Sequence, residues 1–447
     1  MPGIRQAFKR SILDRLPVEL FSIIFSFYTS DLHRGTSPFT LGAVCRGWRD
    51  IAWSTPDVWI NFNATFSKVL PLDETRLQLA QDFLGRSGRL PLTISLSVLI
   101  NFSDQNRDPR LELYCRLVDV ILKRSSQWYD LYLSIPPPLF GHLCRYLIDA
   151  PSNLNLLYLN VFAYQYPQNL SHPNPLRLRP KIVDFTELYD FRPLEFGWDR
   201  VTSCSMHCLA LGQVFQVLQH GNNLLECDFD WINLWHETES FIDPPGHITH
   251  HSLQQLHIRF SPRPETLGPQ FFNNITLPGL KHLSVQTHSG SLVQFIARSS
   301  CKLQTLRLIR TQDRDGDLLN LAQLLPSLEE LYIALPYFDG RQGLPKTFKT
   351  ALAPHVPSTV PSTDVLLLPC LRLFYWDVKG IDWNLIRNLI VPHSSVDKRI
   401  RRPLESITIR YRVQRSARYS ASIPEDIASR LRPFRDQIAL KVVVLDR

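Results

Sequence analysis

Glycine is scarce in this chain, 18 of 447 residues, and neither a Gly-rich phosphate loop nor a Gly-x-Ser-x-Gly elbow occurs. Nothing in the sequence therefore argues for nucleotide hydrolysis or a serine hydrolase. Eight cysteines, at 45, 115, 144, 204, 208, 227, 301 and 370, follow no regular framework and read as buried free thiols in a reducing compartment. No apolar run approaches the roughly 18 residues of a membrane span. The stretch after Arg5, Lys9 and Arg10 is broken by Asp14, Arg15 and Glu19, which argues against a signal peptide. The expectation is a soluble protein of the cytoplasm, the nucleus or both, with no membrane partner. Excess charge is also missing from most of the chain. Residues 398–447 hold 13 Lys+Arg against 5 Asp+Glu and carry the whole net charge of +8, while the other 397 residues balance at 36 against 36. A uniformly basic groove for nucleic acid is excluded, and a basic C-terminal end is present.

What the chain does have is apolar material, 44% of residues against 20% charged, enough for two or three packed domains. Near the N-terminus Leu16, Leu20, Ile23, Ile24 and Phe27 recur at helical spacing, which predicts a helix from about Pro17 to Tyr28 with this stripe buried. Pro17 suits a first helical turn, where its missing N–H costs nothing. A polar stretch from Thr29 to Ser37 separates it from a second helical run through Leu41, Val44, Cys45, Trp48, Ile51 and Ala52, ending before Pro56. About 60 residues cannot bury both faces of such helices alone, so part of their surface needs a partner or the rest of the chain. Trp48 and Trp59 are expected in the internal core.

Leu16-Pro17-x-Glu19-Leu20, Ile23-Ile24-Phe25, Val44-Cys45-x-x-Trp48 and Asp57-x-Trp59 together resemble the F-box family in order and approximate spacing over some 45 residues. The connector His33-Arg34-Gly35-Thr36-Ser37-Pro38 is longer than the family's usual link. The resemblance implies a three-helix module that docks on the Skp-type adaptor, and through it a cullin, of SCF ubiquitin ligases. It implies Leu16, Pro17, Leu20, Ile24, Val44, Cys45 and Trp48 as the adaptor-binding residues.

Beyond this module a phrase, apolar-x-x-apolar-x-apolar, recurs nine times, starting at Trp128, Leu154, Leu224, Leu253, Leu280, Leu303, Leu328, Leu371 and Leu404. Successive starts lie 26, 70, 29, 27, 23, 25, 43 and 33 residues apart. Met206-x-x-Leu209-x-Leu211 is a candidate copy inside the longest gap, and Leu92-x-Ile94-x-Leu96 a candidate opening. The alternating end of each phrase suits a short parallel strand. Stripes such as Val214, Phe215, Val217 and Leu218, Leu292, Phe295 and Ile296, and Leu318, Leu321, Leu324 and Leu325 suit return helices. One such unit cannot bury its own core, and stacking does so. The pattern resembles degenerate leucine-rich repeats, although their usual Asn or Cys is mostly missing. The competing all-α repeat is disfavoured by strand-like runs such as Lys441-Val-Val-Val-Leu445. The fold expected is α/β: a three-helix F-box module over 1–62, a linking region with a first repeat-like segment over 63–127, and an irregular leucine-rich-repeat solenoid with a curved parallel sheet and outer helices over 128–447.

Motifs that could carry other chemistry fall short when counted. Cys204-Ser-Met-His-Cys208 offers three ligands where structural zinc takes four, with no second pair evident. His247, His250 and His251 read as a turn before a strand. Asp313-Arg-Asp-Gly-Asp317 has its Gly at the fourth position rather than the sixth of a calcium loop, and reads as a turn with Asp317 capping a helix. Lys398-Arg-Ile-Arg-Arg-Pro403 is a candidate nuclear import signal or a solvated loop, and Arg410, Arg412, Arg415 and Arg418 suggest the outer face of an edge strand. No cofactor, metal site, catalytic residue or homo-oligomer is indicated. The expected role is a non-enzymatic substrate-recognition subunit of an SCF ligase that holds an unidentified protein target. The alternatives are an F-box scaffold outside ligase complexes, a metal-dependent enzyme using the Cys and His residues, and a nucleic-acid-binding protein using its basic end.

Overall fold

The structure is a computed structural model that describes residues 16–30, 37–100, 109–147, 153–161, 178–186, 197–232, 246–261, 264–287, 289–309, 316–334, 344–352, 366–378, 382–390, 402–412 and 423–445. Two compact units form, Met1–Val201 and Thr202–Arg447. The boundaries expected near 62 and 127 both fall inside the first. Among the described residues the chain is α/β, with thirteen α-helices and sixteen strands paired in parallel, which removes the all-α alternative.

The first unit opens with α1 (Val18–Thr29), α2 (Pro38–Val44) and α3 (Arg46–Ser54). Pro17 lies just outside α1, and its carbonyl accepts from the N–H groups of Leu20 and Phe21. The single run expected from Leu41 to Ala52 is two helices, because Cys45 is extended (φ −160°, ψ 170°) and its Sγ accepts from the Trp48 N–H at 3.4 Å, capping α3. Apolar periodicity continues across that break and conceals it. After a 3₁₀ turn at Pro56–Trp59, strands β1 (Asn61–Ser67), β2 (Leu92–Leu99), β3 (Trp128–Ser134), β4 (Leu156–Asn160) and β5 (Ile182–Thr186) pair in parallel, each with the next. Helices α4 (Glu74–Arg86), α5 (Pro109–Leu122) and α6 (Pro137–Tyr146) make the returns. An aromatic cluster joins the helical module to this sheet. Trp59 is fully buried, donates from Nε1 to the Ala52 carbonyl at 2.7 Å, and meets Trp53 and Phe83 edge-on, both at 5.2 Å. The cluster extends across position 62 through the Phe62–Phe83 contact at 5.4 Å. The Arg86 guanidinium lies over both the Trp53 and Trp59 rings.

In the second unit β6 (Ser203–His207), β7 (Glu226–Ile232), β9 (Gln255–Phe260), β11 (His282–Gln286), β12 (Thr305–Ile309), β13 (Glu330–Ala334), β14 (Leu373–Val378), β15 (Ser406–Arg412) and β16 (Ala439–Leu445) pair in parallel in that order. The two-residue strands β8 (Ile248–Thr249) and β10 (Ile275–Thr276) pair separately. Return helices are α7 (Leu211–His220), α8 (Pro264–Asn273), α9 (Ser289–Ser299), α10 (Asp317–Gln323), α11 (Lys346–Leu352), α12 (Trp383–Ile390) and α13 (Glu425–Leu431). Register alternation puts Cys204, Cys227, Leu256, Leu283, Leu306, Leu331, Phe374 and Ile407 in one buried row, with Met206, Phe229, Ile258, Val285, Leu308, Ile333, Trp376 and Ile409 in the next. Phe215, Phe271, Phe272 and Phe295 from three successive helices pack against this layer with one another. Among the described residues no helix covers the opposite face of the strands, whose polar and aromatic residues are mostly half-buried or exposed.

All nine phrases end in strands. The copy proposed at Met206 is misplaced: register with β7 aligns Val201-x-x-Cys204-x-Met206, while Leu209 and Leu211 lead into α7. Asp317 is the first residue of α10 rather than its cap, which is Gly316 at φ 100°, and Leu324 lies beyond that helix and is exposed. Arg402 is not on a solvated loop. It is buried, donates from Nε and a terminal nitrogen to the Leu367 carbonyl at 3.0 and 2.8 Å, and burial lowers its pKa to about 10, so it stays charged at neutral pH. β15 is not an edge strand, since it pairs with β14 and β16. The connector at 33–36, Asp313, Asp315, the basic residues 398–401, Arg415 and Arg418 lie outside the described residues.

Candidate functional site

Helix α1 is apolar on two faces, and among the described residues only one of them is covered. Phe21 and Phe25 are buried and meet the Trp48 ring at 6.2 and 5.0 Å, which makes Trp48 the floor that α1 rests on. Ser22 and Thr55 share a hydroxyl hydrogen bond of 3.0 Å, and the Asn61 amide donates to the Thr29 carbonyl, holding the helix in its first half and at its C-terminal end. The stripe expected to be buried, Leu16, Leu20, Ile23, Ile24 and Phe27, is instead exposed, with Phe27 at 75% and Ile24 at 51%. The period was read correctly and the buried face was not. Both faces satisfy it, and the aromatic face wins because two rings against Trp48 bury more area than aliphatic side chains would.

Of the residues the resemblance singles out, Leu16, Pro17, Leu20, Ile24 and Val44 are exposed, on α1 and at the end of α2. Cys45 and Trp48 are only half-buried and have internal roles, as cap and floor. Ile23 and Phe27 belong to the same exposed face; the i, i+3, i+4 spacing that named Leu20 and Ile24 also points to them. A contiguous apolar helix face of this kind is unusual on a soluble chain unless something covers it.

The second candidate surface is the uncovered strand face of the second unit. In register across it run Ser205, Asp228, His257, Ser284, Arg307, Tyr332, Tyr375 and Thr408. A groove of about 700 Å³ follows β6 to β13, and a cavity of about 340 Å³ lies over β12 to β15. The Tyr332 and Tyr375 rings stack at 4.3 Å and 22°, and the Arg410 guanidinium sits 5.2 Å from the Tyr375 centroid. Burial, with Asp377 adding to it, raises the Tyr332 pKa, so this phenol stays protonated at neutral pH.

The Cys and His motifs resolve into structure. Cys204 faces the core, and Cys208 Sγ lies 3.0 Å from His207 Nδ1, whose Nε2 is 3.6 Å from Asp230, the ion-pair partner of Arg259. His250 is buried, with Nε2 donating to the Gly221 carbonyl at 2.8 Å and Nδ1 accepting from the Leu253 N–H at 3.2 Å. Among the described residues no group of three or more His, Cys, Asp or Glu side chains is arranged to hold a metal ion, and no helix is long and apolar enough to cross a membrane. No family model matches the chain, and no curated protein matches it.

Proposed function

We propose that the chain is an F-box-type substrate receptor. In this reading the exposed face of α1 docks on a Skp-type adaptor of a cullin-based SCF ligase, and the uncovered strand face holds a protein target beside the ubiquitin-charged enzyme. The observation that carries it is the coincidence of two independent features. Of the seven residues that the resemblance implies for the adaptor, Leu16, Pro17, Leu20, Ile24 and Val44 are ones whose apolar side chains are exposed. Parallel strands with return helices and a helix-free strand face suit a leucine-rich-repeat array, whose role would be to raise the local concentration of the target. In this account no residue of the chain does chemistry. Leu16, Pro17, Leu20, Ile24 and Val44 would touch the adaptor directly, with Ile23 and Phe27 added, while Cys45 and Trp48 would hold α1 in place. The nucleic-acid alternative loses one of its basic residues, since Arg402 is buried against a carbonyl.

Co-expression with a Skp-type adaptor tests the reading. The wild type should co-purify at one to one, and Leu20→Ala with Ile24→Ala should abolish co-purification while the variant stays folded. A soluble wild type that leaves the adaptor behind removes the ligase assignment.

A further inference from the structure

Within that target-holding reading, we propose that the strand face over β12 to β15 binds an extended peptide segment carrying Asp and Glu side chains, gripped by Arg307 and Arg410 on either side of the Tyr332–Tyr375 stack. Register puts Arg307, Tyr332, Tyr375 and Thr408 side by side on four successive strands, with Arg410 two residues further along the last of them. Four strands at about 4.8 Å spacing span roughly 15 Å, the reach of four or five extended residues.

Among the described residues few carboxylates oppose the arginines of this face: Asp377 stands beside Arg410 in register, and Glu330 lines the same cavity. Arg259 is paired with Asp230, and Arg372 with both Glu329 and Glu405, but neither Arg307 nor Arg410 has a carboxylate within ion-pair distance among the described residues. Arg410 is instead held over Tyr375, a stacked geometry that keeps the guanidinium's edge donors available to an incoming carboxylate. The cavity between the two arginines holds about 340 Å³ and is edged by the hydroxyl-bearing Thr305, Ser406 and Thr408. Its tyrosine floor offers flat apolar area to the stem of a Glu or to an interspersed apolar residue. The sign pattern favours a peptide over a nucleic-acid strand. Glu330 lines this cavity and Glu226 and Asp228 line the groove beside it, so a ligand must place its anionic groups at the arginines and away from these carboxylates, which a peptide with spaced acidic residues can do and a phosphodiester charged at every step cannot.

The test uses the full chain and fluorescence anisotropy at fixed moderate salt. The probes are a labelled twelve-residue peptide of Glu and Asp around a central Leu-Tyr pair, the same peptide with Lys at every acidic position, and a twelve-nucleotide oligothymidine. The acidic peptide should bind, the Lys peptide should not, and Arg307→Gln with Arg410→Gln should weaken binding at least tenfold. Both side chains are exposed, so the double variant should melt with the wild type. Adaptor co-purification on the same samples should be unchanged, which separates this proposal from the adaptor reading: loss of the adaptor alone counts against the latter only. Failure of the acidic peptide to bind, equal binding by the double variant, or tighter binding of oligothymidine lost in that variant would each overturn the proposal.

Discussion

Ile24 and Phe25 are neighbours on one helix and should respond to truncation with losses of very different size. Phe25 is 1% exposed and lies 5.0 Å from the Trp48 ring and 6.0 Å from that of Phe21, so Phe25→Ala opens a cavity beneath α1 and should cost about 3–5 kcal/mol. Ile24 is half in solvent. Fully burying such a side chain is worth about 1.5–3 kcal/mol, so removing it should cost about 1 kcal/mol or less, and Ala's better helix propensity offsets part of that. In a unit of this size the first loss should lower the melting temperature by roughly 10 °C and the second by no more than about 2–3 °C. Urea and thermal denaturation followed by circular dichroism at 222 nm measure both. Equal losses for the two variants would show that the chain itself covers the Ile24 face, and the argument for a vacant docking surface would fall.

The buried imidazole of His250 makes stability depend on pH. Burial holds its pKa below the ordinary 6.5, so the unfolded chain takes up a proton there that the folded chain resists, and stability should fall as pH drops through about 6.5. The urea midpoint of the wild type should fall more between pH 7.5 and 5.5 than that of His250→Gln; an equal fall would refute the assignment. Burial pushes the Cys144 thiol up to about 12 and that of Cys301 up to about 11. At pH 8 a thiol reagent should therefore label the exposed Cys370 on the native chain, with Cys144 and Cys301 labelled only in denaturant, as peptide mapping would show. Gly42 lets the Trp53 ring lie directly against α2, where a Cβ would overlap it. Gly42→Ala should then destabilise the first unit by about 1–3 kcal/mol despite Ala's higher helix propensity, and a stabilised variant would contradict that packing.

The repeat was legible because each phrase carries strand alternation on residues that the sheet buries. Three strands were hidden for separate reasons. The phrase of β1, Trp59-x-x-Phe62-x-Ala64, merges with the end of the helical module; that of β5 begins on Pro180; and that of β6 begins on Val201, five residues ahead of the similar spacing at Met206, Leu209 and Leu211. With Pro180 and Val201 as starts, the 70-residue gap after Leu154 divides into steps of 26, 21 and 23. The face of α1 was not legible, since spacing alone does not choose between Leu20, Ile24 and Phe27 and the pair Phe21 and Phe25. Trp48, more than twenty residues away, makes that choice. The Arg307, Tyr332, Tyr375 and Thr408 row could have been found, because each occupies the variable position between the last two apolar residues of its phrase. Aligning the phrases by register rather than by their leucines exposes it.

Amide hydrogen exchange on the full chain, with and without a Skp-type adaptor, tests the central claim most directly. Docking on the exposed helix face should slow exchange in peptides covering Leu16–Ser30 and Val44–Trp48 and leave the strands of the second unit unchanged. Unchanged exchange throughout, or protection that bypasses α1, would contradict the account.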